Sequence, residues 1–297
     1  MGLELVNTLQ TPTKEALNVV RFNTTGNYVL TGGNDRLVRI WNSYTKLCIR
    51  EFQGHLKEVL DIDVVDDSSK FASCGGDRSV LLWDVMTGNV LRRLSGHLSR
   101  VNTVCFNDDY SVLASGSFDS TVRLWDCRST STLPIQVLND ARDSVAAVKI
   151  TGHFILTGST DGCLRIYDLR QGKLSTDMLQ VPITSLQPFE KKPSVLVSTL
   201  NSAIHSVDVS SGAYQHHYTG HDNKQYRVRS CITTDESCVI SGSESGSVFV
   251  WNSENEQLLY QYNVANDAIV SDVCYHSTNK LCAALSNGDV AVFSLHK

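Results

Sequence analysis

The chain has 297 residues, 41% hydrophobic and 19% charged, with 26 basic against 31 acidic side chains and a formal net charge of −5. That balance excludes a disordered chain, and its mild acidity argues against a protein whose main task is to neutralise nucleic-acid phosphates. No apolar run is long enough to predict a membrane helix, and the opening MGLELVNTLQTPTKEAL lacks the basic flank and apolar stretch of a secretory signal.

In chain order, a strand-like segment from Leu3 to Leu9 comes first, and then a repeat begins. Four segments end alike: LVRIWN at 37–42, VLLWD at 80–84, TVRLWD at 121–126 and SVFVWN at 247–252. CLRIYD at 163–168, AIHSVD at 203–208 and VAVFS at 290–294 fill the same slot more weakly. The slot residues Trp41, Trp83, Trp125, Tyr167, Val207, Trp251 and Phe293 are spaced by 42, 42, 42, 40, 44 and 42. A period near 42 gives seven copies with no linker left over, so residues 1–297 are predicted to form one domain.

The third copy, 96–126, shows the internal plan. VNTVCF, SVLASGS and TVRLW are short, β-branched runs separated by NDDY and by the tight turn Phe118–Asp119–Ser120. A fourth run leads to the next copy, as NVLRRL does at 89–94. This is strand-and-turn grammar, with no helical periodicity. Each copy is therefore a four-stranded antiparallel sheet, and radial packing of seven such sheets buries both faces of each. The last copy stops at Lys297 without a fourth strand, and the Leu3–Leu9 segment is expected to supply it.

These residues resemble the WD40 repeat: the Gly-His pairs Gly54–His55, Gly96–His97 and Gly220–His221, a turn Asp, and a closing Trp-Asp. The implied fold is all-β, a seven-bladed WD40 propeller whose N-terminal strand completes the last blade. At finer grain, SCGGDRSVLLWDV, RVNTVCFN, LWDCRS, ARDSV, YDLRQGKL and PITS resemble the mitogen-activated protein kinase organiser group of WD-repeat proteins. That likeness implies scaffolding of kinase cascades and association with late spliceosomes, in nucleus and cytoplasm, as a monomer within larger complexes.

His97, Ser115, Asp119 and Trp125 hold the ingredients of a Ser-His-Asp hydrolase, but His55, Ser73, Asp77 and Trp83 repeat them at identical offsets. A catalyst needs one constellation, not two in phase. The resemblance makes both sets structural, with Asp and Ser holding the His and the His touching the Trp indole. The first copy keeps Thr31, Asp35 and Trp41; the fourth Thr157, Asp161 and Tyr167; the sixth His221, Ser241 and Trp251; the fifth and seventh only Asn201 and Asn287. Copies two and three are thus expected to be stiffest and five to seven softest. The Gly-rich turns TGGND and SCGGD lack the Lys and helix of a phosphate loop. Nine Cys without a C-x-x-C pair read as reduced, mostly buried thiols, and His216–His217 is a poor chelator because strand neighbours point apart. No enzyme activity, cofactor or metal is expected.

The surface remains. By register, Arg100, Asn102, Arg227 and Arg229 flank first-strand apolar positions, and Phe118 and Leu200 precede turns. These six are the candidate partner-binding residues of the upper rim, with the DNKQYR loop at 222–227 as a further feature. A rival reading rests on Trp125–Asp126–Cys127–Arg128 and Tyr167–Asp168–Leu169–Arg170, which resemble the W-D-x-R ends of cullin-ligase substrate receptors; Arg128 and Arg170 would touch the ligase adaptor. The expected partners are proteins, with no direct nucleic-acid contact and no membrane.

Overall fold

A computed structural model describes residues 2–296. Among the described residues there are seven four-stranded antiparallel sheets and no helix. Blade one is typical, running outward from the axis as Leu17–Phe22, Tyr28–Gly33, Leu37–Asn42 and Cys48–Gln53. The innermost strands of blades two to seven are Val59–Val64, Val101–Phe106, Val145–Thr151, Ile183–Pro188, Ser230–Ile232 and Val270–His276.

Each inner strand runs from the face carrying the Asp turns, here the upper face, to the lower one. The turns between second and third strands need one left-handed residue. Arg36, Arg78, Ser120, Gly162, Ser202, Gly246 and Gly288 fill that position with φ between 62° and 89°. Buried Trp41, Trp83, Trp125 and Trp251 close the inter-blade cores, as the 42-residue period requires.

A recurrent irregularity shapes the axis. In six blades the register of the inner strand slips by one residue, leaving Asn18, Leu60, Asn102, Ala146, Thr184 and Ser271 bulged. A bulge frees backbone groups from the ladder and re-aims them, so carbonyls near the upper end of the channel become available to other donors.

The ring closes as the sequence predicts. Gly2–Gln10 pairs with Asp289–His296 as the outer strand of blade seven, with one bulge at Val6. Leu9 is fully buried, packed with Leu17, Val20, Trp41, Val290 and Val292 between blades seven and one.

Candidate functional site

The two repeated constellations form the same buried chain of hydrogen bonds. His97 Nδ1 lies 2.9 Å from Asp119, His97 Nε2 lies 2.8 Å from Ser115 Oγ, and the Trp125 indole donates to that same Oγ at 2.8 Å. In blade two the matching distances are 3.1 Å for His55–Asp77, 2.7 Å for His55–Ser73 and 2.7 Å for Trp83–Ser73. A carboxylate only accepts, so Nδ1 carries the proton and, in the neutral ring, Nε2 accepts from the serine hydroxyl. The expected contact between His and Trp is therefore corrected: the serine stands between them, because one hydroxyl can donate to the ring and accept from the indole at once. Burial raises the Asp77 carboxyl, but the bonds from His55 and Leu56 N–H outweigh it and hold the group well below the usual carboxylate range. The serines are buried and already engaged, so neither set presents a nucleophile.

Blades one and four, which lack the His, solve the problem with arginine. Arg39 donates to Asp35 at 2.5 Å and to Glu51 at 2.7 Å, while Trp41 donates to Thr31 at 2.9 Å. Arg165 donates to Asp161 at 2.7 Å and to Ser159 at 2.8 Å. Sequence reasoning missed both, although Asp-x-x-x-Arg at one repeat offset was a readable signal. In blade six the expected partial network does not assemble. Both His221 ring nitrogens are buried without a partner, and Trp251 donates instead to the Thr219 carbonyl at 3.1 Å. With Ser245 in place of the turn Asp, nothing anchors Nδ1.

The channel holds a feature the sequence reading did not anticipate. Arg21 of blade one lies 3.2 Å from Asp61 of blade two and 2.6 Å from Asp272 of blade seven. Arg229, just before the inner strand of blade six, reaches the same two carboxylates at 2.7 and 3.2 Å. The four groups form a buried ring of alternating charge. Arg229 Nη2 also donates to the bulged Leu60 carbonyl at 2.9 Å. Arg227 donates to the bulged carbonyls of Asn102 and Thr184 at 2.6 and 3.1 Å. The signal for this was an acidic third residue in two inner-strand runs, VLDIDV and VSDVC.

The upper-rim expectations divide accordingly. Arg227 and Arg229 do not ring an exposed contact: the blade-six inner strand begins late, and its arginines turn into the channel, where carboxylates and bulge carbonyls receive them. Asn102 is also buried, donating to Ser144 Oγ at 2.9 Å and the Val145 carbonyl at 2.8 Å. Leu200 is half-buried. Arg100 and Phe118 do stand together, the guanidinium carbon 4.9 Å from the ring centroid, with Phe118 49% exposed. Leu98 beside them and its repeat mate Leu56 are 77% and 72% exposed, apolar residues following each intact Gly-His. The 222–227 loop is clasped by Glu244, which accepts from the Lys224, Gln225 and Tyr226 amides at 2.7, 2.6 and 2.9 Å.

On the lower face Arg128 and Arg170 occupy equivalent turns, each with its amide 2.8 Å from the preceding Asp. Both side chains are exposed, and Arg128 meets Asp109 at 2.9 Å.

Of the nine thiols, six are buried, as expected, and Cys48 is exposed. No helix of the described residues is long and apolar enough to cross a membrane.

The WD domain, G-beta repeat family matches residues 3–42, 46–84, 88–126, 133–168 and 212–252. The unmatched stretches hold the degenerate fifth and seventh copies. A WD repeat-containing protein of Schizosaccharomyces pombe is 52% identical over 294 residues, covering 99% of both chains. WD repeat domain-containing protein 83 of Homo sapiens is 49% identical over 93% of this chain and 87% of its own length, and that of Mus musculus 46% over the same shares.

Proposed function

The chain belongs to the WD40-repeat family, among relatives named WD repeat domain-containing protein 83, and on that premise we propose that it is a non-enzymatic protein–protein scaffold serving pre-mRNA splicing, mitogen-activated protein kinase signalling, or both. WD40 propellers are in general interaction scaffolds that bind proteins. One observation carries the reading: the two catalyst-like constellations found among the described residues come in duplicate and are satisfied internally as struts. What is left to act is surface. The exposed Arg100–Phe118 pair on the upper face has hot-spot chemistry, a large apolar contact beside a guanidinium, and Leu56 and Leu98 add exposed apolar side chains to the same face. The splicing and kinase assignments rest on the organiser-group likeness, as do residence in nucleus and cytoplasm and a monomeric state within larger assemblies.

Affinity purification with mass spectrometry from the native source tests this. Splicing factors or kinases are expected with the native chain and are lost from an Arg100→Ala, Phe118→Ala variant of unchanged melting temperature. Recovery of neither class sinks the assignment. A salt-sensitive gel shift with RNA at low micromolar protein contradicts the expectation of no direct nucleic-acid contact.

A second reading, substrate receptor of a cullin-type ubiquitin ligase, is favoured by one observation. The Asp126–Arg128 and Asp168–Arg170 turns are superposable in hydrogen bonding and both present exposed arginines to the lower face. Capture of a ligase adaptor that is lost on Arg128→Ala plus Arg170→Ala would replace the scaffold reading with this one.

A further inference from the structure

The lower half of the channel is a cavity of about 180 Å³, closed toward the upper face by the crossing side chains of Arg227 and Arg229. Its lining is polarised. On the side of blades seven, one and two stand Asp272, Arg21 and Asp61, whose charges are spent on one another and on Arg229. Asp63 of blade two adds a third carboxyl, which accepts the Phe106 amide at 2.7 Å and feels the Lys149 ammonium across the cavity, so Lys149 is offset in charge and the surplus falls on Arg227.

The side of blades four, five and six offers mainly hydrogen-bond donors. Lys149, Ser185 and Gln187 line it, and among the described residues none of their side chains has a protein hydrogen-bond partner. Arg227 uses Nε and Nη1 on carbonyls, and among the described residues its Nη2 has no protein acceptor. Among the described residues no carboxylate lies within ion-pair distance of Arg227, and Asp61 and Asp272 act on it only at longer range. The cavity lining carries four cations, Arg21, Lys149, Arg227 and Arg229, against three carboxylates, Asp61, Asp63 and Asp272. A surplus positive charge out of bulk water is costly unless an anion meets it. Burial and the neighbouring Arg229 push the Arg227 guanidinium down to about 9. That value still leaves it charged at neutral pH, so the surplus calls for a counter-charge rather than loss of a proton.

We propose that this cavity binds a small tetrahedral oxyanion, phosphate or sulfate, held by Arg227 and Lys149 with Ser185 and Gln187 completing the donor set. Donors from three successive blades converge on one space, which suits a multi-acceptor anion better than a spherical halide. The site goes beyond the scaffold reading and does not depend on it. Its occupant would tie the degenerate fifth blade to blades four and six on either side.

The test uses the full chain in a chloride buffer, titrated with inorganic phosphate or sulfate at constant ionic strength. Phosphate is expected to raise the melting temperature by about 3 °C or more at millimolar concentration. Calorimetry should show one site. Arg227→Met is expected to abolish the response and Lys149→Met to weaken binding about tenfold. Should Arg227→Met fail to fold, Lys149→Met, at a half-buried position, carries the test alone. A wild-type response no greater than that to chloride, or a full response in Lys149→Met, overturns the site. A response to sulfate equal to that to phosphate assigns it to oxyanions in general, and a phosphate-only response narrows it to phosphoryl groups.

Discussion

The Arg229 guanidinium donates to the Asp61 carboxylate at 2.7 Å across the central channel, from a position 168 residues further along the chain. The contact joins blade six to blade two, which share no blade edge. Removing one member of a buried ion cluster strands the others, at about 3–5 kcal/mol. Arg229→Met should therefore lower stability in urea by that order. Asp61→Asn should cost a similar amount, and the double variant clearly less than the two together.

The same cluster sets an acid limit. Burial pushes the Asp61 carboxyl up, but the Arg229 and Arg21 guanidiniums outweigh it and hold the group well below its ordinary 3.8. A carboxyl depressed on folding adds stability that is complete above that ordinary value and drains away as pH falls below it. Acid unfolding of the native chain should steepen below about pH 4. Asp61→Asn, less stable at neutral pH, should show a shallower loss there.

His221, unlike His55 and His97, is buried with no hydrogen-bond partner for either ring nitrogen. Burial pushes its ring from 6.5 down to about 4, with Asp222 opposing only weakly. The unfolded chain thus binds this proton first, so the contribution is whole above pH 6.5 and lost on descent to about pH 4. The size is about 3 kcal/mol. His221→Leu removes two orphaned nitrogens set among the rings of Phe249 and Trp251. It should be neutral or stabilising at pH 7 and should flatten the melting-temperature profile between pH 6.5 and 4.

By contrast, His97→Ala leaves Asp119 and Ser115 short of partners in a buried site. A loss of about 2–3 kcal/mol is expected. The corresponding asymmetry should appear in amide exchange, with blades two and three best protected. Blade six, with an inner strand of only three residues, should be among the first to open. Uniform protection around the ring would contradict the link between network and rigidity.

The repeat made the architecture legible because its period is written in large buried residues: Trp41, Trp83, Trp125 and Trp251 cannot be placed elsewhere. The struts of blades two and three were legible for the same reason, since all four members recur in phase. The channel was not. Asp61 and Asp272 share the third inner-strand position, but Arg21 stands fifth in its strand and Arg229 just before one, so nothing along the chain announces that these four residues of four blades meet. Arg227 and Arg229 were misplaced because register assigns a residue to a position, while the bulges at Leu60, Asn102 and Thr184 decide where acceptors point. Arg100 and Phe118 escaped that fate because the Phe118 turn projects beyond the sheet.

The closing strand offers the most direct test of the ring. Gly2–Gln10 runs along the edge of Asp289–His296 in eight paired positions, and its Leu9 fills the seam between the last blade and the first. Deleting residues 1–10 exposes that edge and the apolar faces of Val290 and Val292, which an ordinary terminal trim does not do. The buried leucine alone is worth about 2 kcal/mol and each net hydrogen bond about 1 kcal/mol. A loss of at least about 4 kcal/mol is therefore expected, together with a tendency to associate through the bared strand. Leu9→Ala separates the two contributions: it should cost about 2–4 kcal/mol while leaving the chain monomeric in light scattering, because the backbone ladder persists. A truncated chain that melts within a degree or two of the full one would show that the propeller does not depend on this strand for closure.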